Sequence, residues 1–202
     1  MLWSEFNPYV LPYVLGAPDP LIAHHVRLAA IDFCRRTSCY QASLDPVTSD
    51  GTVALEIESN TGLQIIKIKA VAVNGRDHPL VDSVGGLKLA RANSPMDFCF
   101  TQDNQILQIY PAPAVGVAVV IDAILAPTLT ATSLINAVAN AYMQDMALGA
   151  IASLQRVPNQ PFTDLNSSAL MQAQYQARVS ATAAKVARGL MGGKMRAHTT
   201  FL

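Results

Sequence analysis

The densest run of chemically capable side chains is GAPDPLIAHHVRLAAIDFCRRT, residues 16–37, which carries His24, His25, Asp32, Cys34, Arg35 and Arg36 in a chain only 14% charged. Imidazole, carboxylate, thiol and guanidinium are the groups that enzymes use for metal ligation, proton transfer and nucleophilic attack. Their spacing argues against each use. Successive residues on a helix point about 100° apart, so His24 and His25 cannot close on one ion, and the residues four further on, Leu28 and Ala29, are not ligands. His25 and Asp32 are aligned but two turns apart, and His78 and His198 are isolated. Cys34 sits beside Phe33 on an apolar turn with no base near it in sequence, which is the setting of a small core filler. Arg35 and Arg36 suit the negative end of a helix and are placed to reach a partner. The sequence contains no Gly-x-Ser-x-Gly elbow, phosphate loop or dinucleotide fingerprint, and GLMGGK lacks the spacing and the trailing Ser/Thr of a phosphate loop. Glu56 and Glu58 fall on one face of an alternating strand, expected to be solvated. No catalytic residue, metal ligand or cofactor is therefore assigned.

The elements that must carry these side chains follow from periodicity. After an extended, proline-marked lead-in (Pro8, Pro12, Pro18), Asp19 as cap and Pro20 in the first turn predict a helix start. Ile22, Val26, Ala29 and Phe33 give it a buried stripe, and it ends near Thr37. From Tyr40 to about Pro127 the period changes to two. Val53, Leu55 and Ile57 form one run and LQIIKIKAVAV, residues 63–73, another, followed by the hairpin dipeptide Asn74-Gly75. DSVGG is expected to be a loop or short helix, residues 97–111 a hairpin turning at Asp103-Asn104, and VGVAVVIDAILAP a further strand. Thr132 or Ser133 then caps an Ala/Gly-rich helix over 134–156, whose small residues allow close approach of another helix. VPNQPFTD is a turn. A long helix follows over 165–190 with a stripe of Tyr175, Val179, Ala183, Val186 and Leu190, terminated by Gly192-Gly193.

The expected fold class is α+β: a helical bundle of the N-terminal helix and two long C-terminal helices, with an inserted small antiparallel β domain. The expected divisions are 1–39 for the lead-in and first bundle helix, 40–127 for the strands, 128–193 for the C-terminal helices and 194–202 for a basic arm. At 202 residues and 51% apolar composition, the chain can bury a real core without disulfides or metals. Zero formal net charge argues against disorder and against wholesale attachment to nucleic acid. Three cysteines without Cys-x-x-Cys spacing read as free thiols. The start MLWSEFNPYVLPYVLG has neither the basic head nor the apolar run of a signal peptide, and no apolar run is long enough to span a bilayer, so synthesis in a reducing cytoplasm is expected. Charge is uneven: residues 1–164 hold all 14 acids and 9 of the 14 Lys/Arg, while residues 165–202 hold 5 Lys/Arg and no acid. A basic end on an acidic body suits contact with an acidic partner. Sparse surface charge suits coverage by neighbouring subunits in a homo-oligomer.

The order LGAPDPLIAHHVRLAAIDFCRRT, IIKIKAVAVNGRDHPL, LQIYPAPAVGVAVVIDAILAP and ALGAIASLQRVPNQPFTD, closed by an Ala/Gln-rich helix, resembles the head-to-tail adaptor (connector) proteins of short-tailed bacteriophages over nearly the whole chain. Tyr40 and Phe162 stand where tryptophan is expected, which keeps an aromatic at each place. The resemblance implies a structural virion protein at the head–tail interface, a ring commonly of twelve copies joining the portal protein to a tail tube or nozzle protein. Genomic DNA would pass through without sequence-specific binding, and no membrane would be involved. It implies that the bundle lines or surrounds the channel, that the strand domain faces outward or toward the tail, and that an arm with Lys194, Arg196, His198 and Phe201 docks on the portal. His24, His25, Arg35, Arg36, Arg178, Lys185 and Arg188 are then candidate subunit or partner contacts. Another head–tail ring component, such as a stopper or tail-completion protein, is the nearest alternative. An enzyme centred on Cys34, His24 and His25 is the more distant one.

Overall fold

The computed structural model describes residues 1–59, 61–81, 98–101 and 105–189. The chain divides into two compact units, one built from Met1–Cys39 and the chain from Leu129 onward, the other from Tyr40–Thr128.

In the helical unit, α1 (Asn7–Val10) lies between short 3-10 turns, and α2 (Asp19–Thr37), α3 (Asn136–Leu154) and α4 (Leu165–Arg188) are the long helices. The lead-in, expected to be extended, is instead a run of helical turns. Pro8 and Pro12 occupy first-turn positions of these turns, where the missing N–H has no intrahelical partner to lose. Trp3, Phe6, Val10 and Val14 thereby fall on one buried side. The α2 stripe of Ile22, Val26, Ala29 and Phe33 is buried as its spacing predicts. Its start differs by one position: Pro18 is the cap and Asp19 the first helical residue, with the Asp19 carboxylate accepting from Asn7 Nδ2 at 3.1 Å. The α3 helix has no side-chain cap and begins after Ile135, not at Thr132 or Ser133. By contrast α4 is capped by Asp164, whose carboxylate accepts from the backbone N–H groups of Asn166 and Ser167. Tyr175 and Val179 of its expected stripe are buried. The C-terminal residue of the helix is followed by Gly189 at φ +79°; Leu190, Gly192 and Gly193 lie outside the described residues.

The strand unit holds β1 (Gln41–Ser43), β2 (Val47–Thr48), β3 (Ala54–Glu56), β4 (Leu63–Val73), β5 (Arg76–His78), β6 (Phe98–Thr101), β7 (Ile106–Tyr110) and β8 (Ala118–Pro127). They form two antiparallel sheets: a five-stranded one ordered β1-β8-β4-β5 with β2 also on β8, and a three-stranded one ordered β3-β7-β6. The β4–β8 pairing runs from Leu63↔Pro127 to Val73↔Val119, with register shifts between Ile65 and Lys67 and between Ile68 and Ala70. Asn74 and Gly75 both take positive φ, at 50° and 74°, which is what a two-residue hairpin turn requires. Leu55 and Ile57 point inward while Glu56 and Glu58 are exposed, as strand alternation predicts. The expected DSVGG loop and Asp103-Asn104 turn lie outside the described residues.

The fold class expected from sequence is overturned in its main claim. The chain is a mixed α+β protein of four described α-helices and two antiparallel sheets, and helices do not dominate it as a bundle with one small sheet attached. The physical reason is that β8, buried over Ala123–Pro127 and flanked by β1, β2 and β4, gives the strands a core of their own. Leu107 and Ile109 of β7 anchor the second sheet, both essentially without exposed surface.

Candidate functional site

The helical unit gathers most of the candidate residues, and its geometry explains their types. His24 and His25 lie edge to face with ring centroids 5.7 Å apart. His24 is exposed and His25 half-buried. The Ser153 hydroxyl donates to Ala150 O at 2.9 Å, so its oxygen is left to accept from His25 Nδ1 at 2.8 Å. That fixes the ring against α3 with its N–H on Nδ1. Burial, and secondarily the charge of His24, hold His25 below the ordinary value of 6.5. The folded chain therefore binds this proton less readily than the unfolded one, so its stability contribution is complete above about pH 6.5 and falls as acidification passes through and below that value. His25→Gln is expected to flatten the decline of thermal midpoint between neutral and mildly acid buffer. An unchanged slope would assign the decline to other groups.

Asp32, on the polar side of α2, is held from two directions. The Tyr175 hydroxyl donates to its Oδ2 at 2.8 Å, and Arg36 Nη1 approaches the same oxygen at 3.3 Å. Arg36 also donates to the Gln176 side chain. Burial first, and the bond to Asp32 second, push the Tyr175 hydroxyl far above its ordinary range, so it serves as a donor that locks α4 to α2. One turn further along α4, Arg178 Nε lies 3.7 Å from Asp145 Oδ1. Burial raises the Asp145 carboxyl, with Arg178 opposing. This pair lines a groove of about 470 Å3 with Tyr9, Asn140, Tyr142 and Gln144. The groove lies where α3 departs from helical geometry at Tyr142 (φ −133°, ψ 15°). Lys185 and Arg188 are exposed on the last turn of α4, and Arg35 is exposed on α2. Lys194, Arg196, His198 and Phe201 lie outside the described residues.

Cys34 is fully buried. The neighbouring Cys39 thiol first, and burial second, push the Cys34 thiol far above the ordinary thiol range, so it stays protonated. Cys39, read from sequence as a free thiol, is free and half-buried just past the left-handed Ser38 that ends α2.

The strand unit offers a groove of about 760 Å3 lined by Glu56, Glu58, Ser59, Gln64, Gln105 and Thr128. Its donors and acceptors are amides, hydroxyls and solvated carboxylates. Among the described residues no group of three His, Cys, Asp or Glu side chains could hold a metal ion, and no helix is long and apolar enough to cross a membrane. The arrangement positions α2, α3 and α4 against one another and leaves charged and apolar side chains facing outward. No protein-family model matches the chain, and no curated protein sequence matches it.

Proposed function

We propose that the chain is a structural subunit, a head-to-tail adaptor of a short-tailed bacteriophage. In this role it assembles as a homo-oligomeric ring between the portal protein and the tail and forms part of the DNA channel. The observation that carries this beyond the motif order is apolar surface left in solvent on the helical unit: Leu15 is 74% exposed, Leu165 67%, Leu129 59% and Leu170 57%. Side chains of this size facing water across one unit suit lateral packing between copies. The chain up to residue 164 carries fourteen acids against nine Lys/Arg, which suits a channel that lets DNA slide, because phosphate binding requires a basic wall. The acid-free end, with Lys194, Arg196, His198 and Phe201, would dock on the portal.

Electron microscopy of the purified chain mixed with its portal is expected to show rings seated on portal particles. A chain that stays monomeric and leaves the portal bare would overturn the proposal. Removal of residues 194–202 should abolish portal binding while circular dichroism stays unchanged, and undiminished affinity would exclude the arm as the docking element.

A further inference from the structure

The groove beside Tyr142 is made by a break in α3, and the ring role does not use it. All six residues of 140–145 line it, together with Tyr9 and Arg178. Successive residues of a regular helix point about 100° apart, so six in a row cannot face one space. They do so here because Tyr142 leaves helical geometry. Neither Pro nor Gly stands between Asn136 and Leu148, so the usual sequence causes of a sharp helix break are missing, and an outlier of that kind points to a use. The Tyr142 ring is steadied by Phe33, 5.3 Å away between centroids. Among the described residues, the side chains of Tyr9, Asn140, Tyr142, Gln144 and Asp145 make no hydrogen bond, so five sets of donors and acceptors line the groove unused. The Asp145 carboxylate is only 20% exposed and meets Arg178 Nε at 3.7 Å, beyond hydrogen-bond distance, while Arg178 itself is 67% exposed.

We propose that this groove binds a guanine base. Its charges narrow the ligand first: an anion is repelled by Asp145 and a cation by Arg178, and an apolar guest would leave the carboxylate and both amides without partners. What fits is a neutral molecule that donates and accepts along one edge. Two phenol rings favour a flat one, since aromatic faces stack on planar heterocycles. Guanine alone among the common bases presents N–H donors on two neighbouring nitrogens, N1 and N2, beside two acceptors, O6 and N7. A carboxylate takes the donor half of that edge and a guanidinium the acceptor half. Asp145 and Arg178 stand side by side as those two halves do. Asn140 and Gln144, each able to donate and to accept, complete the set. The groove, at about 470 Å3, has room for a nucleoside.

Equilibrium dialysis of the full-length protein against radiolabelled guanosine is the test. Saturable binding of one guanosine per chain is expected, tighter than adenosine, cytidine or uridine by about tenfold or more, the discrimination of a good two-point contact. Asp145→Asn should lose that preference, and Tyr9→Ala should weaken all four nucleosides alike, with circular dichroism unchanged in both. Should Asp145→Asn fail to fold, Gln144→Ala, at an exposed position, replaces it and is expected to weaken guanosine. Displacement by a short thymidine strand carrying one guanine would place the base on a nucleic-acid strand. Displacement by guanosine monophosphate but not by that strand would make it a free nucleotide. Displacement by ribose alone, equal binding of the four nucleosides, undiminished preference in Asp145→Asn, or no saturable binding at millimolar guanosine would each overturn the proposal. Dialysis reads binding whether or not rings form, so failure of the adaptor reading leaves this outcome legible.

Discussion

Phe33→Ala is expected to destabilise the helical unit by about 3–5 kcal/mol, the range for truncating a fully buried aromatic ring. Phe33 has no exposed surface, and its ring packs within 5.3 Å of Tyr142 on α3 and 6.3 Å of Tyr175 on α4, measured between centroids. It is thus an α2 side chain that packs on both later helices. A domain of this size is stable by only about 5–15 kcal/mol, so the loss takes a large share of the total. In urea titrations followed by helical circular dichroism, the helical transition should move to markedly lower denaturant. A loss below about 1 kcal/mol would show that the cluster can collapse around the vacancy.

Gly149→Ala should also destabilise, although alanine is the better helix former by about 1 kcal/mol. A Cβ at this position would stand 2.9 Å from Tyr175 Cε2 and 3.1 Å from its Cδ2. The ring cannot swing away cheaply because its hydroxyl is tied to Asp32. Overpacking of this kind costs about 1–3 kcal/mol, enough to outweigh the propensity gain. A double-mutant cycle supplies the check: in a Tyr175→Ala background the same substitution should become stabilising. Destabilisation of equal size in both backgrounds would locate the cost in the helix itself.

The two substitutions mark what could be read from sequence. Phe33 falls on a four-three-four apolar spacing and was legible as core. The Asn74-Gly75 turn, the bounds of β4 and the outward Glu56 and Glu58 were legible for the same reason, since each rests on a local period or a local φ requirement. The role of Gly149 was legible only as permission for close approach, because the residue that fills the space, Tyr175, lies 26 positions away. The lead-in was misread because proline is compatible both with extended chain and with the first turn of a helix, and burial of Trp3, Phe6 and Val10 decides between them. The balance of helix and sheet was misjudged because strand pairing is non-local: nothing near Ala118–Pro127 announces that three strands will flank it. For the site, the lack of converging ligands around His24 and His25 was visible in their adjacency.

The interruption of the helical unit by Tyr40–Thr128 sets an order on biosynthesis. Leaving the ribosome, α2 emerges early, but the surfaces that cover Phe33 belong to α3 and α4 and are made more than a hundred residues later. The continuous strand segment can pair and bury β8 in the meantime. The first long helix of the chain therefore waits longest for its full cover, and during that interval Phe33 lacks the Tyr142 and Tyr175 rings that pack on it. Non-local closure of this kind is slow and exposes nascent chains to aggregation, so the yield of soluble protein should depend on the later helices even when the early sequence is unchanged.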